Sequence, residues 1–577
     1  MKTASKTTGL RYWMLRVLAE CDCVAADFSA DPVHDLRVSL RRCRSMADGM
    51  MAMDPDPNWK AMKKAGKQLF QRLGALRDVQ VMMDWIDKLH PSVVTTRSLQ
   101  ASTGGTPALP PASQDSQNSA DPASAKTVAP DRIDPVAHAL LQLLKARETE
   151  HKREARAALE EFDRKQWRQW TKSLPVRAAR IRPGSAVFKH LALERWTAAR
   201  ELHTRAMRNR SRVAFHTLRI GIKRFRYIVE NFLPNEHKAW SDDLKHLQDL
   251  LGEVHDLDVL WATAQSCHVF ADKAFSHEAS PGEEFEDEDS REAWHARILK
   301  ERNQRIDEYR HKTTGPDSLW SVWRAGLPQG KQVERIATSR IKLWAKVLDP
   351  DFVHSERVAR LALQLYDGLV PTGLLAPSRP VASLKSALTE AESQGTSNGD
   401  EAEDRASLYA AALLHDIGKS KGNKGHHKES LEIIKKHGAP LGWRDQTMQR
   451  AAIVARFHCG ALPTRSHKTL RNLLPGEQRT IIRLAAMLRL ANALDAAHDG
   501  HIRRVKIENG FFPKNQKRVN GFRRRHAALG KNEALVIAAE GYLPGSPTAQ
   551  TVAAERHLLE TVLRRPVVVR PMKATAS

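Results

Sequence analysis

The chain has 577 residues with a formal net charge of +25 at pH 7, which favours an anionic partner: a nucleic acid, a polyphosphate or an acidic membrane surface. Its five cysteines are scattered, which excludes a disulfide framework and fits a reducing cytoplasm. No apolar run reaches about 18 residues and no signal-peptide core opens the chain, so we expect a cytoplasmic protein without a membrane partner.

The first predicted region, residues 8–330, is helical and contains a helix with a cationic side. Its charged side chains recur at offsets of three, seven and ten residues: His34, Arg37, Arg41 and Arg44. At 100° per residue they fall within an arc of about 80°. The opposite side is apolar and must pack on neighbouring helices. The charged side is therefore predicted to be a row of hydrogen-bond donors that points in one direction.

The same pattern occurs a second time in this region. His216, Arg219, Lys223 and Arg226 repeat the offsets of the first row. Downstream of each row the motif Leu-Gly-x-x-x-Asp recurs, first at 73–78 and then at 251–256. These echoes indicate an internal duplication in which each copy supplies one basic helix.

A basic helix side is open to two interpretations. One such side is usually no more than a solvated charged surface. Two copies with the same spacing favour a paired, inward-facing row, which suits a long polyanion because guanidinium and ammonium groups donate hydrogen bonds to phosphate oxygens.

The duplicated basic row and the Leu-Gly-x-x-x-Asp motif resemble those of the CHAD domain, an α-helical domain of two related bundles around a basic groove or channel. The resemblance covers roughly residues 8–330, with a predicted disordered insertion at about 96–131 that is rich in Ser, Ala, Pro and Gln. It implies binding of inorganic polyphosphate. The implied binding residues are His34, Arg37, Arg41, Arg42, Arg44, His216, Arg219, Lys223, Arg224 and Arg226.

The second predicted region, residues 340–500, is also helical. Helices are predicted at about 350–370 and 405–418, and the residues between them, about 376–404, form a polar insertion. From residue 501 the pattern changes to strands at 505–507, 534–538 and 566–570 with a helix near 550–563. The expected fold class is therefore mainly α, with a duplicated helical-bundle domain, an all-α second domain and a small α/β subdomain over residues 501–577.

Histidines and aspartates in the second region have the composition of a metal site. The predicted ligands are His354, His415, Asp416 and Asp495. Two imidazoles and two carboxylates suit one divalent cation such as Mg, Mn or Fe, which activates water and polarises a phosphoryl oxygen. Lys419 offers a cation close to these ligands, so Asp416 and Lys419 are the predicted catalytic residues. A second metal or a phosphate is predicted to contact His426, His427 and His458.

The ordered set His…His-Asp…Asp resembles that of HD-type phosphohydrolases. More closely, residues 340–577 resemble the C-terminal region of the exopolyphosphatase and guanosine pentaphosphate phosphatase family, through stretches 354–359, 411–418, 426–430, 455–458 and 488–495. That family's hydrolysis is attributed to an actin-like N-terminal domain, whose Gly-rich phosphate loops this sequence lacks.

Two functions therefore remain open. The chain is either a polyphosphate-binding protein with a metal-dependent HD-type phosphohydrolase domain, which acts on polyphosphate or a phosphorylated nucleotide, or a non-enzymatic polyphosphate-binding or granule-associated protein with a regulatory HD-like module. A nucleic-acid partner is not favoured, because no helix-turn-helix, RNA-recognition or zinc-finger pattern occurs and aromatic residues are sparse in the basic stretches.

Overall fold

The computed structural model describes residues 9–89, 135–266, 283–375, 390–508 and 534–572. Within these ranges the fold is mainly α, as predicted, with seventeen α-helices and one three-stranded sheet. The chain divides into two compact units, formed mainly by residues up to Pro328 and from Gln329. The predicted insertion at 96–131 and residues 376–389 of the predicted polar insertion lie outside the described residues.

Ten helices build the first unit within the described ranges. They are α1 (Leu10–Ala26), α2 (Ala30–Met51), α3 (Pro57–Leu89), α4 (Pro135–Glu160), α5 (Arg164–Ala178), α6 (Ala186–Asn209), α7 (Arg212–Phe232), α8 (Pro234–Ser266), α9 (Glu283–Thr313) and α10 (Leu319–Ala325). The duplication is visible in the lengths of the helices. The basic helices α2 and α7 have 22 and 21 residues, and each is followed by a helix of 33 residues.

Helix α7 is the most strongly amphipathic helix in the described part of the first unit. Ser211 caps its start, since the Ser211 hydroxyl accepts a hydrogen bond from the backbone N–H of Ala214 at 3.2 Å. The predicted apolar side is buried: Leu218, Ile222, Phe225 and Val229 are each fully enclosed. Burial of that side leaves the cationic side of α7 directed away from the core.

Seven helices and the sheet build the second unit within the described ranges. The helices are α11 (Lys331–Leu348), α12 (Phe352–Leu369), α13 (Glu390–Leu414), α14 (His426–His437), α15 (Asp445–Arg456), α16 (Pro475–Leu494) and α17 (Pro547–Leu563), with 3₁₀ turns at Val370–Thr372 and Ile417–Lys421. The strands are β1 (Arg504–Glu508), β2 (Leu535–Glu540) and β3 (Val567–Pro571). Strand β2 is central, antiparallel to β1 and parallel to β3.

Helix α13 differs in its bounds from the sequence prediction. It begins at Glu390, not near residue 405, so that residues 390–404 of the predicted polar insertion are helical. It ends at Leu414, and the next turn is a 3₁₀ helix over Ile417–Lys421. The end of α13 is apolar and buried from Ala410 to Leu414, where it belongs to the core shared with α12, α15 and α16. This core holds the end of α13 in place immediately before His415.

Candidate functional site

The two predicted basic rows of the first unit come together. We call their shared part the paired basic cluster: Arg37 and Arg41 on α2, and Arg219 and Lys223 on α7. The two helices interact electrostatically. Arg219 on α7 contributes to the lowered pKa of Arg37 on α2, and Arg41 on α2 contributes to the lowered pKa of Lys223 on α7. The duplication thus places like charges from both copies beside each other.

Burial has a large effect on the titration of this cluster. It is the main reason why the pKa of Lys223 falls to about 7, and the neighbouring Arg219 and Arg41 lower it further. Burial also lowers the pKa of Arg37 to about 10, although Asp78 opposes the change. The nearby carboxylates therefore offset only part of the cost of burying these cations.

Two carboxylates belong to the same cluster, and both come from the Leu-Gly-x-x-x-Asp motif. Burial raises the pKa of Asp78 against the opposing effect of Arg37 and Arg219. It likewise raises the pKa of Asp256 to about 6, where Arg219 again opposes and Asp78 adds to the increase. The motif thus places one carboxyl group with a raised pKa from each copy among the cations.

Hydrogen-bond donors in the basic rows are incompletely satisfied. The buried Nε atoms of Arg219 and Arg44 have no hydrogen-bond partner among the described residues. Arg37 Nη1, in contrast, donates to the Phe70 carbonyl at 3.2 Å. Most buried donors have acceptors, so within the described ranges these two guanidinium nitrogens lack a hydrogen bond that buried donors normally make.

The second unit contains a cluster of imidazoles with a common orientation. The Nδ1 atoms of His415, His426 and His458 lie 2.7, 2.9 and 2.8 Å from the backbone carbonyls of the third residue before each. A carbonyl only accepts, so each Nδ1 carries the proton and each Nε2 presents a lone pair. Two of these carbonyls lie at the ends of α13 and α15, where helices leave acceptors free.

The Nε2 atoms of these three rings converge on Asp416. The Nε2 of His415 lies 3.4 Å from Oδ2, and those of His426 and His458 lie 3.2 and 3.5 Å from Oδ1. The Nε2 atoms of His426 and His458 are 3.0 Å apart. Two lone pairs at that distance repel each other unless a cation or a proton lies against them.

The donor set therefore fits a divalent metal. His415 Nε2 and Asp416 Oδ1 are buried and lack a hydrogen-bond partner among the described residues. Two ligand groups, each with its donor atoms within 4.8 Å of one another, share Asp416: one adds His354 and His415, the other adds His426 and His458. An Nδ1–H donated to a backbone carbonyl is the usual support of a metal-binding imidazole.

The protonation of the cluster suits a cation. Burial lowers the pKa of His415 and of His458, so both rings are neutral ligands at neutral pH. Burial by itself raises the pKa of Asp416, and the Lys419 ammonium, which donates a hydrogen bond to this carboxylate, acts in the opposite direction. Lys419 Nζ donates to Asp416 Oδ2 at 2.5 Å.

His354 and Asp495 form a neighbouring pair. His354 Nδ1 lies 2.7 Å from Asp495 Oδ2, and its Nε2 lies 3.0 Å from Asn492 Oδ1. The Asp495 carboxylate also accepts from Arg357 Nε, at 2.9 and 3.0 Å. Asp495 thus has two strong partners, and it belongs to none of the three potential ligand groups found in the described parts of the chain.

A glycine makes the geometry of this cluster possible. A Cβ atom on Gly418 would lie 2.1 Å from the carbonyl oxygen of His426 and 2.7 Å from the backbone nitrogen of Ser430. Gly418 N–H donates to the Ser430 hydroxyl, which in turn donates to the carbonyl of His415. The turn after Asp416 can therefore lie directly against the start of α14, which carries His426.

Two family models match the chain, one in each unit. Residues 14–265 match the CHAD domain, and residues 336–524 match Ppx/GppA phosphatase, domain III. The chain joins a CHAD domain to a Ppx/GppA phosphatase domain III. This is the pairing that the sequence motifs predicted. No curated protein matches the chain.

In the CHAD domain, the predicted binding residues do not all lie in one place. Arg37, Arg41, Arg219 and Lys223 form the paired basic cluster. Burial, followed by the charges of Arg77, Arg41 and Arg37, lowers the pKa of His34. Arg42 pairs instead with Glu230, which Arg226 approaches at 3.9 Å. Three predicted residues remain. Arg44 lies over the Phe70 ring and Arg224 is exposed. The Nδ1 atom of His216 is 3.3 Å from the Nδ1 atom of His255.

In domain III, the structure brings most of the predicted ligands together and adds residues that the sequence reasoning missed. His354, His415, Asp416, His426 and His458 lie in two overlapping groups. The missed residues are Arg357 and Asn492, which engage Asp495 and His354, and Cys459. Arg357 lies one helical turn after His354, and Asn492 one turn before Asp495, so helical spacing was the available signal.

No helix in the described parts of the chain is long and apolar enough to cross a membrane. The two families together indicate a polyphosphate-related phosphatase.

Proposed function

We propose that domain III is a metal-dependent phosphohydrolase, acting on polyphosphate or a phosphorylated nucleotide, and that the CHAD domain binds the polyphosphate. The observation that carries the proposal is the convergence of three Nε2 lone pairs on one ionised carboxylate. A set of neutral imidazoles with one carboxylate is poorly explained by packing alone, because buried lone pairs without donors cost free energy.

Four residues would hold the metal: His415, Asp416, His426 and His458. Asp416 is shared by both ligand groups, and His354 is the neighbour that completes the first. When bound, a divalent metal in such a site polarises a phosphoryl oxygen and activates water. The excess of imidazole over carboxylate favours iron over magnesium.

The chain's own residues supply the remaining chemistry. Lys419 contributes to the lowered pKa of Asp416, which keeps the carboxylate ionised and able to bind a cation. The Lys419 ammonium also lies at the edge of the cluster, partly exposed, where it offers a hydrogen bond to a phosphate oxygen. His354 and Arg357 together orient the Asp495 carboxylate.

In the CHAD domain we assign polyphosphate binding to the paired basic cluster. Its four cations come from two helices and include the unpartnered Nε of Arg219. A chain of phosphates offers acceptors at short, regular intervals and therefore engages cations of both helices at once. A cytoplasmic location, with or without polyphosphate granules, follows from this assignment as part of the proposal.

Phosphate release by the purified full-length protein tests the enzymatic proposal. The wild type, a His415→Ala/Asp416→Ala double variant and a control with the exposed His557 changed to Ala would be compared on long-chain polyphosphate with Fe, Mn or Mg. We expect release by the wild type and the control, and none by the double variant. Release by the double variant at the wild-type rate would refute the assigned site.

A second candidate function is a non-enzymatic polyphosphate-binding protein with a regulatory domain III. It is favoured by the engagement of Asp495, the fourth ligand of the HD-type pattern, with His354 and Arg357. In that case all three proteins retain polyphosphate on a binding assay, and none releases phosphate from polyphosphate or nucleotides with any of the metals.

A further inference from the structure

Beside the proposed metal ligands lies a third group, formed by His426, His427 and Cys459. The three ligand atoms lie within 4.8 Å of one another, and all three side chains are half-buried. Cys459 is a free cysteine. Neither HD-type chemistry nor the proposed phosphate hydrolysis makes use of its thiol.

The distances within this group match those of a tetrahedral soft-metal site. The Cys459 Sγ lies 3.6 Å from His427 Nδ1 and 3.8 Å from His426 Nε2. A tetrahedral zinc ion holds sulfur and nitrogen ligands about 3.6 Å apart, because the Zn–S bond is about 2.3 Å and the Zn–N bond about 2.1 Å. Two imidazoles and a thiolate leave the fourth position open for water or an anion oxygen.

His426 belongs both to this group and to the group around Asp416. Its Nδ1 donates to the Asn423 carbonyl, so only Nε2 can bind a metal. That atom lies 3.2 Å from Asp416 Oδ1 and 3.8 Å from Cys459 Sγ. An Nε2 has one lone pair and ligates one ion at a time, so the two groups compete for His426.

The two groups also differ in the metals that they prefer. The third group includes a thiolate, a soft ligand that selects zinc and its relatives, whereas the Asp416 group offers imidazoles and a carboxylate, which also suit iron. Binding at Cys459 releases the thiol proton to solvent as the metal–sulfur bond forms.

We propose that His426, His427 and Cys459 form a second site, specific for zinc or a similarly soft divalent cation, whose occupation withdraws His426 from Asp416. One consequence rests on the proposed function: zinc at this site inhibits phosphate release. The site itself does not depend on that function, since it requires only the three side chains.

Cobalt substitution tests the site independently of activity. Full-length protein freed of metal with a chelator would be titrated with Co²⁺, which gives a near-ultraviolet charge-transfer band only when a thiolate binds it. We expect the band in the wild type and in a Cys23→Ser control, which changes an exposed cysteine of the CHAD domain. We expect no band in Cys459→Ser and a weakened one in His427→Ala. No band in the wild type, or a band that persists in Cys459→Ser, overturns the proposal.

Zinc inhibition tests the competition for His426. Zinc would be added to the protein releasing phosphate in the presence of Mn. We expect inhibition of the wild type, and a need for about tenfold to 100-fold more zinc in Cys459→Ser, whose basal rate is unchanged. Equal zinc sensitivity in both overturns the competition, even if the cobalt band is present. Absence of phosphate release with the cobalt band present refutes the proposed hydrolysis and leaves the soft-metal site standing.

Discussion

At the scale of single residues, Lys223 changes its charge within the physiological pH range. Its pKa of about 7 is that of a lysine whose charged form is disfavoured by burial and by neighbouring arginines. Only the protonated amine attracts phosphate. Affinity for long-chain polyphosphate is therefore expected to rise, by about tenfold, as the pH falls through 7 and the ammonium forms. Binding titrations on either side of that pH measure the change.

Two variants separate the groups responsible for this pH dependence. Lys223→Arg keeps a permanent charge and removes the step near pH 7. Asp256, whose pKa is about 6, loses its negative charge at lower pH and adds a second increase in affinity, which Asp256→Asn removes. An affinity that is constant, or that weakens on acidification, contradicts the assignment of polyphosphate binding to this cluster.

Gly418 provides a second residue-scale prediction. Gly418→Ala places a methyl group against the backbone of His426 and Ser430, which cannot move without shifting the start of α14. We expect a loss of about 1–3 kcal/mol in the free energy of unfolding and a marked loss of metal binding. Denaturant unfolding and metal titration measure the two effects.

Gly476→Ala is the matched control, because a Cβ there meets only the Arg479 guanidinium at 3.9 Å. It is expected to leave both properties unchanged. Equal behaviour of the two variants would show that close packing at Gly418 does not shape the metal cluster.

The residues of the proposed sites could be predicted to different extents. His415 and Asp416 are adjacent in the sequence and follow an apolar run, so their chemistry is visible without a structure. The role of Cys459 was not visible, since its partners His426 and His427 are distant in sequence and come near it only because α14 packs on α15. Asp78 and Asp256 were recognised as parts of a repeated motif. Their position beside the cations Arg37 and Arg219 could be seen only in the structure.

At the scale of elements, the two copies of the duplicated bundle are not equivalent. A Cβ on Gly74 of α3 would lie 2.8 Å from Arg37 Nη1, whereas one on Gly252 of α8 would meet nothing within 4 Å. Gly74→Ala is therefore expected to displace the Arg37 guanidinium and to weaken polyphosphate binding. Because that guanidinium is flexible, the fold should be retained.

Gly252→Ala is the matched control on the equivalent helix. Alanine in a helix interior is expected to stabilise the domain by about 0.5–1 kcal/mol, with unchanged affinity. Thermal unfolding and binding assays of both variants check this difference. If Gly252→Ala bound polyphosphate more weakly, or Gly74→Ala bound it normally, the two copies of the bundle would not differ in the way described.

Sequence patterns predicted which helices and strands are present better than they predicted the residues at which these begin and end. The three strands of the second unit lie within one or two residues of their expected positions, because alternating apolar residues and flanking turns define them locally. Helix α13 starts before the position expected for it, since its first residues are polar and show no apolar periodicity. The helix over residues 390–404 therefore could not be recognised from the hydrophobic pattern.

At the scale of the whole molecule, the two domains share one chain, so polyphosphate bound by the CHAD domain as proposed would be presented to domain III at a raised effective concentration. Replacing Arg37, Arg219 and Lys223 by Gln is expected to raise KM for long-chain polyphosphate by about 100-fold and to leave kcat unchanged. Initial-rate kinetics on long chains measure the effect.

A short phosphate substrate provides the control for this prediction. It has no further phosphates to leave bound in the CHAD domain while one is hydrolysed, so its KM should be the same for the wild type and the triple variant. An equal increase of KM for both substrates would contradict tethering, and a fall in kcat would mean that the basic residues act in the chemical step.

The hydrogen bonds that orient His415, His426 and His458 have a consequence for how the protein tolerates mutation. Each ring is held by a main-chain oxygen, at positions 412, 423 and 455. Substitution of the side chains at positions 412, 423 and 455 leaves the accepting carbonyls in place. Mutation can therefore remove a histidine ligand, but substitutions at these three positions do not change which tautomer its ring prefers. A variant that has lost one of these histidines retains the backbone that orients it, and a single reversion is expected to restore the complete donor set.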